Sequence, residues 1–124
     1  CVNDDAWLAH NLMNNKYRKS TPNTNKYGIQ RCLWSQHTMK ILLPSKSNFD
    51  KHPEYFALYK GKRIKDGQLC LSNPKVIDIL TKEILKVIEN HPEFDIYDVS
   101  QNDNNYFCQC ENCKAVVGSE PSSE

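Results

Sequence analysis

Apolar residues recur at helical spacing most clearly between positions 74 and 90. Val76, Ile77, Leu80, Ile84, Leu85, Val87 and Ile88 share one face there, and Lys75, Asp78, Lys82, Glu83, Lys86 and Glu89 take the other. Ser72 or Asn73 suits the N-cap, Pro74 suits the first helical position, and Pro92 stops the element. Phe94 to Ser100 then alternates with period two, which predicts a strand ending at the polar run Gln101-Asn102-Asp103-Asn104-Asn105. Upstream, Ile29 to Gln36 is apolar at Ile29, Cys32, Leu33 and Trp34 and predicts another strand, with His37 at its C-terminal end. In the long connection that follows, Tyr55 to Arg63 predicts a small hairpin turning at Gly61, with Gln68 to Leu71 as its return. Near the start, Leu8 and Leu12 at i, i+4 predict a short helix over residues 4–13, and the polar stretch 14–28 predicts a loop.

Strand, long connection, amphipathic helix, strand is the order of a βαβ unit, which builds parallel sheets. The expected class is therefore α/β. A lone βαβ unit leaves sheet surface uncovered, so the expectation is a piece of a larger (β/α)8 barrel or layered sheet. In both, chemistry gathers at the C-terminal ends of the strands. His37 and the Gln101–Asn105 run occupy those positions.

Composition narrows the class without naming a function. The chain has 124 residues, 39% hydrophobic and 25% charged, which suits one ordinary globular domain and argues against wholesale disorder. No apolar run reaches the roughly 18 residues that a membrane-spanning helix needs, and no signal-peptide pattern opens the chain. Cys1 at one end and the Ser119–Glu124 run at the other are read as cut ends, so residues 1–124 are expected to be a partial domain. Net charge is +1, yet residues 1–66 carry +7 and residues 67–124 carry −6. Only three of the 16 basic residues are Arg, and no RNA-binding or helix-turn-helix signature accompanies them. The charge reads as solvated surface rather than a nucleic-acid footprint.

Asp103 is the leading candidate for chemistry. A carboxylate on the loop after a buried strand can serve as acid, base or nucleophile, and its neighbours Asn102 and Asn104 can orient a sugar hydroxyl. The plainer alternative is that these Asn and Asp side chains simply build their own turn. His37 and Trp34 can line the same mouth, one by hydrogen bonding and the other by stacking on a sugar face. Arg31 can pair with a substrate anion or make an ordinary ion pair. Cys108, Cys110 and Cys113 place three thiols within six residues, and Cys70 lies in the connection from the preceding strand. Both connections leave the same end of neighbouring strands, so the four thiols are expected to meet. Four thiolates satisfy tetrahedral zinc, which would pin two long loops; disulfides are the rival. Cys1 and Cys32 have no assignment.

The combination of motifs resembles a known family. It comprises His37-Thr38-Met39 with Leu42-Leu43-Pro44, the run His52 to Leu58, Gly61-Lys62-Arg63, and Gln68 to Pro74. Val99 to Asn104 and Cys108 to Cys113 complete it. Together these resemble DUF4838, a bacterial domain of unknown function found in glycan-utilisation systems and similar in part to glycoside hydrolase family 163. The resemblance implies a (β/α)8 barrel of which this chain is a part, and export to the periplasm or cell surface. It also implies a glycan substrate, with endo-β-N-acetylglucosaminidase cleavage of complex N-glycans as the activity. Two-carboxylate hydrolysis of this kind needs no cofactor. A fainter likeness is to the β-hexosaminidases, where a helix opening after Asn-Pro leads to a strand ending Gly-Gly-Asp-Glu. Asp103 would stand where that final Glu, the general acid, stands, and Asn102 where the Asp stands. Asn102 lacks the charge for that Asp's role, and the partner carboxylate is expected beyond Glu124. The competing reading is a non-catalytic carbohydrate-binding or scaffolding barrel that keeps a structural Cys site.

Overall fold

The computed structural model describes residues 32–34 and 36–118. The helix expected over 4–13, the loop over 14–28 and Arg31 lie outside those residues. The chain is α/β, with helices and two small sheets. In order come β1 (Cys32–Leu33), α1 (Met39–Leu42), α2 (Ser45–Asn48) and a 3-10 turn (Pro53–Tyr55). β2 (Leu58–Tyr59), β3 (Lys62–Arg63), α3 (Pro74–Asn90), β4 (Ile96–Tyr97) and α4 (Glu111–Val117) follow.

Two compact units divide the chain, one holding β1 and Lys86–Asp98, the other Gln36–Leu85 and the residues from Val99 onward. In the first, β1 and β4 pair in parallel, with Cys32 opposite Ile96 and Leu33 opposite Tyr97. The strand–helix–strand order and the parallel sense both follow the βαβ pattern. The ladder is shorter than the alternation predicted. Beyond Asp98 the chain turns to other partners: Ser100 accepts the Met39 N–H at 3.0 Å and donates its own N–H to Thr38 Oγ1 at 2.9 Å.

The second unit holds the core. Leu42, Leu43, Tyr55, Phe56, Ala57, Leu69, Val76 and Leu80 are buried there, and Phe49 meets the Phe56 ring edge-on at 5.4 Å. β2 and β3 form the expected hairpin. Its two-residue turn has φ 49° at Lys60 and 77° at Gly61, both left-handed, as a type I′ turn requires. Phe56 bridges Leu69 antiparallel, which makes Gln68–Leu71 the hairpin's return edge.

α3 matches its predicted bounds. The Asn73 side chain accepts the Lys75 N–H at 3.1 Å and caps the first turn ahead of Pro74. Of its apolar face only Val76 and Leu80 are buried, while Ile77, Leu85 and Ile88 stay exposed. Four elements were not anticipated: α1, α2, the 3-10 turn and α4. The last of them, α4, carries Cys113. It is seven residues long and opens on Glu111.

Candidate metal centre and adjoining cleft

Two segments converge in the second unit. Cys70 ends the return edge of the hairpin and is buried. The other three thiols come from the segment entering α4. Gln109 N–H donates to the Leu58 carbonyl at 2.6 Å, which docks that segment on β2. Cys110 then caps α4, and Cys113 sits within it.

The ligand atoms of Cys70, Cys108, Cys110 and Cys113 all lie within 4.8 Å of one another. Cys70 Sγ stands 3.7 Å from Cys110 Sγ and 3.9 Å from Cys113 Sγ, and all four thiols are free. Zinc–sulfur bonds of about 2.3 Å in tetrahedral geometry imply sulfur–sulfur edges of about 3.8 Å, against about 2.05 Å for a disulfide. The observed separations fall at the tetrahedral edge. This cluster can hold a metal ion.

The thiols differ in proton affinity for physical reasons. Burial pushes Cys108 up to about 12 and raises Cys113 as well. An apolar recess of about 260 Å³ lined by Leu71, Phe107 and Val116 borders both. The Ser72 hydroxyl, 3.5 Å from Cys110 Sγ, holds that thiol down at about 6.

Asp103 is exposed and lines a cleft of about 450 Å³ that none of the four cysteines lines. Asp66 shares that cleft with Lys40, Lys46 and Lys65, over a floor that includes Phe56 and Leu69. The loop carrying Asp103 is held by a residue that sequence patterning missed, the buried Gln68. Its Nε2 donates to the carbonyls of Asn102 (2.6 Å) and Asn104 (2.8 Å), and its Oε1 accepts the Asn102 N–H at 3.0 Å. A polar residue in an otherwise apolar edge was the available signal. Gln68→Leu strips these bonds, with the 3.3 Å bond from Nε2 to Asn104 Oδ1, and leaves part-buried backbone groups without partners. The expected loss is about 2 kcal/mol, read by urea unfolding, with new protease cleavage inside residues 101–106.

A family model described as Domain of unknown function (DUF4838) matches residues 4–123. The chain belongs to this family. No curated protein and no solved structure matches it. In this DUF4838 chain the remaining candidate residues are placed as follows. Asn102 donates from Nδ2 to the Gly67 carbonyl, and Asn104 donates to the Asp66 carbonyl while accepting the Tyr106 N–H. Both side chains therefore build the loop around Asp103. His37 is not part of the Asp103 cleft: its ring Nδ1 lies 3.1 Å from the Gln101 carbonyl, and its N–H donates to Ser100 Oγ at 2.8 Å. Trp34 belongs to the first unit, where its carbonyl accepts the Cys32 thiol at 2.9 Å. Among the described residues no helix is long and apolar enough to cross a membrane.

Proposed function

We propose that Cys70, Cys108, Cys110 and Cys113 bind one structural zinc ion that fixes the segment entering α4 against the hairpin. The sulfur separations of 3.7 and 3.9 Å carry this reading, because they fit a zinc tetrathiolate and leave every thiol free. The two cysteine-bearing segments have no other covalent tie, so the ion stabilises their docking. Zinc loading must displace the protons held by Cys108 and Cys113, whose affinities burial has raised. At pH 7 the expected uptake is about one zinc per chain with release of about two protons or more. Affinity then falls as pH falls, since acid returns those protons and expels the ion. Calorimetry of the intact protein in buffers of different ionisation enthalpy measures the release. Zinc uptake with no proton release contradicts thiol ligation.

A second reading concerns the whole domain. The chain is proposed to be part of a (β/α)8 barrel of an exported protein that acts on glycans, with Asp103 at the cleft. Three features support it: the parallel β1–β4 pair spanning α3, the exposed Ile77, Leu85 and Ile88 that a neighbouring barrel element would cover, and the polar cleft itself. Asp103 is exposed in this chain, and a carboxylate on the cleft can serve there as acid, base or nucleophile. Within this reading the metal centre is structural and the carboxylates carry the chemistry.

A further inference from the structure

Arg63 stands out in the second unit because it is half-buried and makes no ion pair with any described carboxylate. Its Nη1 donates to the Phe56 carbonyl at 2.6 Å and lies 4.0 Å from Cys108 Sγ. Glu54 and Glu111 line the same open recess as Arg63, Cys70 and Cys110, yet neither reaches its guanidinium. A half-buried guanidinium whose described partners are a carbonyl and a sulfur, with no carboxylate bound to it, is electrostatically costly.

The cost disappears if the thiols are anionic. Four thiolates around a divalent cation carry a net charge of −2, and such a centre needs donors and positive charge around it. We propose that Arg63 is the counter-charge and positioning residue of the metal–thiolate centre, acting on Cys108. The proposal rests on the zinc reading above. Cys108 is the sulfur that the guanidinium faces, at 4.0 Å from Nη1. The Leu58 N–H points at the same sulfur from 3.3 Å. On the other side of the cluster Ser72 Oγ accepts from the Cys113 thiol at 3.0 Å and lies 3.5 Å from Cys110 Sγ and 3.6 Å from Cys70 Sγ. The fold thus supplies one guanidinium, one backbone N–H and one hydroxyl to the four sulfurs. Arg63 is fixed for this by β3, whose register across the hairpin sets Arg63 opposite Leu58.

Zinc affinity of the intact protein, measured by competition with a chromogenic chelator, tests the assignment. The variants are Arg63→Gln and Arg63→Met, which remove the charge, and Arg63→Lys, which keeps it. The neutral variants are expected to bind one zinc about 10- to 100-fold more weakly. Arg63→Lys is expected to recover most of that loss. Melting of the metal-free proteins reports the contribution of the bond to Phe56 alone, and either neutral variant that melts like metal-free wild type suffices for the comparison. Neutral variants within about threefold of wild type overturn the role of Arg63 while leaving the zinc reading intact. An Arg63→Lys as weak as the neutral variants overturns the charge argument. Wild type that takes up no zinc overturns both readings together.

Discussion

Cys110→Ser is expected to lower zinc in the intact protein from about one per chain to near none. A serine hydroxyl is not ionised at neutral pH and is a poor zinc ligand, and three thiols leave a tetrahedral site open. Cys110 is also the thiol whose proton is held least tightly, because the Ser72 hydroxyl lowers it to about 6. It is therefore the natural first ligand to an arriving cation. Loss of the ion removes its stabilisation, about 4 kcal/mol when free zinc stands about a thousandfold above the dissociation constant. Thermal melts of wild type with and without a chelator should bracket the variant, which melts like the chelated protein. Cys32→Ser is the control. Its thiol belongs to the first unit and donates to the Trp34 carbonyl, outside the cluster, so zinc content stays at the wild-type value. Full zinc retention by Cys110→Ser contradicts the four-thiol assignment.

Asp103→Ala in the intact protein is expected to reduce glycan release from an N-glycoprotein by about 100-fold or more. That is the scale on which removal of an essential carboxylate acts in catalysis. The leaving group gives the loss a signature that separates the roles. A nucleophile or charge stabiliser is needed whatever the leaving group, so activated aryl glycosides do not rescue its loss as they rescue loss of a general acid. The fold should be untouched, because Gln68, Asn102 and Asn104 hold the loop through bonds that do not involve the Asp103 carboxylate. Turnover within about threefold of wild type would make Asp103 a turn-former or a sugar contact.

Which features could be read from the sequence follows from how local their causes are. α3 was legible to the residue because its cap, its opening proline and its periodicity all lie within one stretch of chain. The hairpin was legible because Gly61 marks a turn that few other residues accept. The meeting of Cys70 with the later trio was legible from topology, since two loops leaving one end of neighbouring strands converge. The strand predicted over Phe94–Ser100 is shorter, Ile96–Tyr97, because alternation says nothing about where a partner ends. Ser100 leaves the ladder for Thr38 and Met39, a tertiary choice. The short helices α1 and α2 carry too few residues for a period to show. Gln68 was missed for a related reason. A single amide in an apolar edge looks like surface until the loop it clamps is seen folded over it. His37 follows the predicted strand, but which backbone its ring would meet depends on a distant segment: Nδ1 lies 3.1 Å from the Gln101 carbonyl.

The central claim is that four sulfurs of this chain enclose one zinc ion. X-ray absorption at the zinc edge of the intact, zinc-loaded protein tests it most directly. The predicted result is a single shell of four sulfur scatterers at about 2.3 Å with no nitrogen or oxygen neighbour. A shell with two or more light-atom ligands, or zinc-free protein whose cysteines resist alkylation until a reductant is added, would contradict it.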